Sequence, residues 1–190
     1  MRNLVANRRG AVSAEFAIVL PLLLLFIFGI IDAGRLMWDF NRAEKATQVG
    51  ARIASVTNIL APDLATQEYV GVGGLSQGDN IPASLFATVT CTSTGCDGGH
   101  TLDSTTFGII LARMQKIDKR IAATDVTVIY RGSGLGYAGD PNGIQTQPIV
   151  TVEVSGLTFK PITLLSAATY TMPDFRTSLT GEDLSGVNSN

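Results

Sequence analysis

Sixteen consecutive residues, Phe16–Ile31 (FAIVLPLLLLFIFGII), carry no polar side chain, and no other stretch limits the fold so strongly. Counting back to Ala11, only Ser13 and Glu15 interrupt the run. That leaves about 20 residues, the length a helix needs to cross about 30 Å of hydrocarbon. A helix apolar on every side is either the centre of a large core or a membrane span. No later segment here is hydrophobic enough to surround it, so the pattern predicts a span. The overall 45% hydrophobic content is inflated by this stretch. Arg2, Arg8 and Arg9 precede it without an acid among them, whereas Asp32, Arg35 and Asp39 follow it. Positive charge stays cytoplasmic, which predicts a cytoplasmic amino terminus and export of everything after the span. A cleaved secretory signal is the competing reading. It lacks a convincing small-x-small site, since IIDAGRLMW places Asp32 and Arg35 there and Asp32-Ala33-Gly34 is the nearest approach.

Glu15 is the informative exception. An acid at the centre of a membrane helix costs about 2.5–3.5 kcal/mol on insertion scales and persists when something pairs with it. The bland alternative places Glu15 among the lipid head groups, tolerated without a role. Its setting is RRGAVSAEF, with Gly10 five residues before Glu15 and Phe16 directly after the acid. A basic leader, a glycine, an acid at this spacing and a long apolar helix together resemble the processing site of type IV pilin-like proteins. There a membrane aspartyl peptidase cuts after the glycine on the cytoplasmic face and leaves the apolar segment on the mature chain.

The likeness can be narrowed. RRGAVSAEFAIVLPLLLLFIFGIIDAGRLMW, followed by QVGARIAS, resembles the TadE-like family of minor pilins or pseudopilins of tight-adherence pilus systems, over residues 8–55. The resemblance implies cleavage between Gly10 and Ala11 by a prepilin peptidase, with Glu15 and Phe16 as the processing and assembly motif. It implies other pilins or pseudopilins, assembly-platform proteins and membrane lipid as partners. It also implies a single-pass inner-membrane location with the carboxy-terminal part in the periplasm or, within a pilus, outside the cell. Some relatives stay uncleaved, which leaves a second class open: a membrane-anchored periplasmic adaptor or binding module, contacting its partner through the loop at Gly132–Gly143 or the cysteine loop.

Three segments are expected: a leader at 1–10, a transmembrane and extended helix at 11–60, and an exported domain at 61–190. The helix would continue past the membrane, because LMWDFNRAEKATQVGARIASVTNIL has no proline and places Leu36, Phe40, Ala43, Thr47, Gly50 and Ala54 at three- and four-residue steps. Ala11–Leu60 would span about 75 Å, with Pro21 as a kink candidate and Pro62-Asp63 as the stop. Trp38 reads as an interfacial anchor. The small-residue face can pack on the chain's own domain or on neighbouring subunits.

Beyond it, GVGGLSQGDN reads as a connector and Leu85–Cys91 as a strand. Cys91 and Cys96, in CTSTGC, are the only cysteines, and an oxidising compartment favours their pairing. Zinc is disfavoured, because two sulfurs and His100, the only histidine, fall short of four ligands. Asp103 or Ser104 caps a helix whose Phe107, Ile110, Leu111, Met114, Ile117 and Ile121 share one face, opposite Arg113, Lys116, Lys119 and Arg120. VTVIY and PIVTVEVSGLTF read as strands around the glycine-rich RGSGLGYAGDPNG, which lacks the following helix and Lys-Ser/Thr of a phosphate loop. A short helix at Pro161–Ala168 and a last strand in TYTMPDFRTSLTGED complete an α+β domain, pilin-like in its long helix plus antiparallel sheet. The net charge is −2, and losing the three leader arginines leaves −5, with no basic groove for nucleic acid. No catalytic motif is present: His100 has no triad partners, and Asp118, Asp125 and Glu153 are unpaired in sequence. No cofactor is implied.

Overall fold

The computed structural model describes residues 8–141, 144–162, 168–181 and 184. Its first element, α1 (Arg8–Ala54), is one continuous 47-residue helix that includes Pro21. A single-turn helix α2 (Pro62–Ala65) and α3 (Ser104–Gln115) follow in the chain, with strands β1 (Val89–Thr92), β2 (Gly95–Cys96), β3 (Val126–Arg131), β4 (Ile149–Val154), β5 (Thr158–Phe159), β6 (Tyr170–Thr171) and β7 (Phe175–Thr180). The architecture is α+β: a long apolar amino-terminal helix, then a small domain of helix and antiparallel sheet. By internal contacts the chain forms two units, Met1–Phe40 with Thr158–Tyr170, and Asn41–Leu157 with Thr171–Asn190.

In the second unit, five strands lie in the order β2-β1-β3-β4-β7. Every pairing is antiparallel. Register follows from the period of two. Val126, Val128 and Tyr130 pair with Val154, Val152 and Val150, and all six are buried. The intervening Thr127 and Glu153 lie opposite each other on the other face, where Glu153 pairs with Arg176 at 3.0 Å. Ala43, Ala46, Thr47, Gly50, Ala51 and Ala54 of α1 are buried in this unit, as are Phe107, Ile110 and Met114 of α3. The small residues matter because the approach is close: a Cβ on Gly50 would lie 2.6 Å from Met114 Sδ. The distal part of the small-residue face therefore packs on the chain's own domain, while Leu36 and Phe40 stay exposed.

Three boundaries differ from expectation, each for a local reason. Helix α1 stops at Ala54, short of Leu60. Ser55 Oγ donates to Arg52 O and Thr57 Oγ1 to Ile53 O, both at 2.9 Å, so side chains take over the last carbonyls. The early part of Leu85–Cys91 is no strand: Ala83–Leu85 is a 3₁₀ turn, and pairing begins at Val89. Helix α3 ends at Gln115, where the Ile117 N–H turns to Met114 O at 2.9 Å in a tighter i→i−3 bond, and the Asp118 carboxylate then accepts the Arg120 backbone N–H at 3.1 Å. Its start is as expected. Asp103 Oδ1 accepts from Thr105 N at 2.9 Å and Thr106 N at 3.1 Å. The Thr106 hydroxyl and these amides hold the Asp103 carboxyl below its ordinary range. The expected Pro161–Ala168 helix falls largely on 163–167, outside the described residues.

Candidate functional site

Every residue from Val12 to Ile31 is exposed. The large apolar side chains of this span range from 37% exposed at Leu20 to 69% at Ile18. The most apolar window of α1 has a mean hydropathy of 2.6 with none of it buried, so the helix is long and apolar enough to cross a membrane. A surface of this kind needs an apolar partner from outside the chain.

Gly10 stands at its start, exposed, and a Cβ there would meet no described atom within 4 Å. Its φ is not positive either. Neither space nor backbone geometry within the chain calls for glycine, which costs about 0.5–1 kcal/mol relative to alanine inside a helix. Glu15 is exposed and makes no hydrogen bond or ion pair among the described residues, and Phe16 beside it is also exposed. The structure thus sets Gly10, Glu15 and Phe16 on one helix, exposed among the described residues. Ala11 lies between them in the same helix.

The acid just past the apolar run is treated differently. Asp32 is buried, and its two carboxylate oxygens accept the Ile162 backbone N–H at 2.9 and 3.1 Å. Arg35 pairs with Asp32 at 3.1 Å, lies 5.5 Å from the Phe159 ring centroid and donates to Lys160 O at 3.5 Å. Sequence reasoning had these residues only as flanking charges. An acid three residues before an arginine is all that the sequence offers, because the chain segment they hold lies some 130 positions away.

Cys91 and Cys96 form a disulfide across the β1–β2 hairpin, where they are also register partners. Closing so short a loop contributes about 2 kcal/mol by the chain-entropy relation. Thiol labelling of the native protein is expected to require prior reduction, and reduction should lower the unfolding free energy measured in urea by that amount. Labelling without reductant would exclude the bridge.

The other singled-out residues have local partners. His100 Nδ1 lies 3.7 Å from Asp63 Oδ2, and Asp125 accepts the Ala122 N–H at 2.9 Å. Asp118, fully inaccessible, pairs with Arg120 at 2.7 Å and Arg42 at 3.6 Å. Among the described residues no three His, Cys, Asp or Glu side chains converge as a metal site would require. Packing requires two glycines of this loop: a Cβ on Gly132 would run into Ala83 O, and one on Gly136, at φ +133°, into Gln145 O.

Residues 10–52 match the family model described as TadE-like protein, a segment that holds Gly10, Glu15, Phe16, Asp32 and the whole apolar run. No curated protein and no solved structure matches the chain.

Proposed function

We propose that this chain, taking its TadE-like segment as the premise, is a minor pilin or pseudopilin of a tight-adherence type pilus, with a role in assembly, initiation or adhesion. The observation that carries the reading is the exposed apolar run Val12–Ile31 with one acid, Glu15, placed five residues after a glycine that the fold itself does not require. The likeness of residues 10–52 to the TadE-like model supports a structural role among pilus proteins.

In this reading the helix spans the inner membrane with Arg2, Arg8 and Arg9 on the cytoplasmic side, by the bias of positive charge. The domain after it is periplasmic. A prepilin peptidase removes residues 1–10 by cutting between Gly10 and Ala11. The mature helix then exchanges lipid for the helices of neighbouring pilins, which offer the same apolar environment without exposing Val12–Ile31 to water. Assembly-platform proteins supply the site of that exchange. Retention of the helix also keeps Asp32, and with it the hold on Ile162.

Intact mass tests the reading. Wild-type protein from cells with the peptidase should lack Met1–Gly10, and Gly10→Val should retain them, because a pocket shaped for a residue without a side chain excludes a branched Cβ. A wild-type chain that keeps its leader would assign the protein to the uncleaved membrane-anchored adaptors instead. Equal mature masses for the two proteins would mean that both lose residue 10, and would refute the requirement for glycine there.

A further inference from the structure

We infer that Lys160–Ile162, together with Tyr170, makes a second membrane contact, lying in the head-group layer of the leaflet from which α1 emerges. The inference rests on the membrane-spanning reading of α1. Asp32 is the first residue past the apolar run, so at 1.5 Å per residue it stands within about 2 Å of the hydrocarbon edge when Ile31 marks that edge. The interfacial layer on each side of a bilayer is about 5–8 Å deep. The chain segment bound to Asp32 is therefore held inside that layer.

The grip is specific. Both Asp32 oxygens take the Ile162 N–H, and Arg35 closes over the segment through Asp32, Lys160 O and the Phe159 ring. With its backbone so fixed, Ile162 leaves its side chain 62% exposed, and Tyr170, in the strand that pairs with Thr158–Phe159, is 47% exposed. A single exposed isoleucine needs no explanation. Here it shares a unit with the uncovered apolar run, its backbone is tied to the first residue after that run, and exposed Lys160 and Tyr170 of the same unit are residue types that the interface favours. Tyrosine sits at head-group level, and exposed Lys160 can meet lipid phosphate while its stem lies along apolar surface. The arrangement also accounts for Asp32: a carboxylate at the hydrocarbon edge is costly alone, and here its oxygens are occupied by donors from its own chain.

The test uses the full-length protein in vesicles of phosphatidylethanolamine and phosphatidylglycerol. An environment-sensitive fluorophore is placed on Ile162→Cys or Leu23→Cys, the native cysteines being bonded to each other. Nitroxide lipids carry the quencher either near the head group or mid-chain. Leu23→Cys should be quenched by the mid-chain probe and Ile162→Cys by the shallow one. Adding Asp32→Ala should abolish the shallow quenching at 162 and leave that at 23 unchanged. Deep quenching at 23 with none at 162 overturns the second contact and leaves the span standing. No quenching at 23 overturns both. Oxidative cross-linking of Ile162→Cys between copies, in place of quenching, gives this surface to a neighbouring subunit and overturns the lipid contact.

Discussion

Glu15→Ala protein is expected to enter the membrane and keep its fold, yet to be lost from filaments and from its assembly partners. The carboxylate makes no contact among the described residues that its removal would break, and the side chain is exposed on α1. Inserting it nonetheless costs about 2.5–3.5 kcal/mol at a helix centre. A partner outside the chain must compensate. The proposed cleavage after Gly10 would create one: the new ammonium at Ala11 would stand four residues before Glu15, and in a stack of helices the amine of one subunit could reach the acid of the next. Each charge is expensive alone in hydrocarbon, and together they form a pair. The uncleaved chain has no amine there, so partner choice becomes coupled to processing. Capture of assembly partners should fall at least about tenfold, equivalent to about 1.4 kcal/mol, and surface filaments should fall with it. Glu15→Asp, one methylene shorter, should retain part of both. Unchanged capture and filament number in Glu15→Ala would leave the acid as a tolerated head-group residue and end the pairing account.

The apolar half of α1 was legible because a membrane dictates composition directly, and sixteen residues without a polar side chain admit few other fates. Strands β3, β4 and β7 were legible through their turn-bounded β-rich runs, and α3 through its apolar stripe and Asp103. The order β2-β1-β3-β4-β7 was not, because pairing of strands distant in sequence depends on faces that become adjacent only after folding. The same limit hid the two acids that organise the fold. Asp32 meets Ile162 across 130 positions, and Asp118 meets Arg42 on α1. In sequence both look like solvated charges. Gly10, Glu15 and Phe16 stand out in sequence because their spacing is local, and the role proposed for them rests on that spacing and on their exposure on α1.

Asp118→Ala is expected to cost the domain about 3 kcal/mol, more than any surface charge would. The Asp118 side chain is fully inaccessible, and it holds three things together. Arg120 engages it through Nε at 3.0 Å and Nη2 at 2.7 Å, and Arg42 approaches at 3.6 Å. Arg42 in turn donates from Nε and Nη2 to Ile117 O at 3.1 and 3.0 Å, fastening α1 to the turn after α3. Burial alone would push the Asp118 carboxyl upward in pKa, but the hydrogen bonds and charge of Arg120, with the charge of Arg42, outweigh it and hold the group below its ordinary value. The sign follows. A carboxyl whose folded pKa is depressed contributes stability that is fully present above the unfolded value of about 3.9, and that contribution disappears as pH falls through the lower folded value. Wild-type protein in detergent micelles should therefore show a larger loss of urea resistance on acidification below about pH 4 than Asp118→Ala does. Asp118→Asn retains the volume and the turn to the Arg120 amide without the charge, and should fall between the two at neutral pH. Equal urea midpoints for wild type and Asp118→Ala at neutral pH would show that the buried pair adds nothing to the attachment of α1.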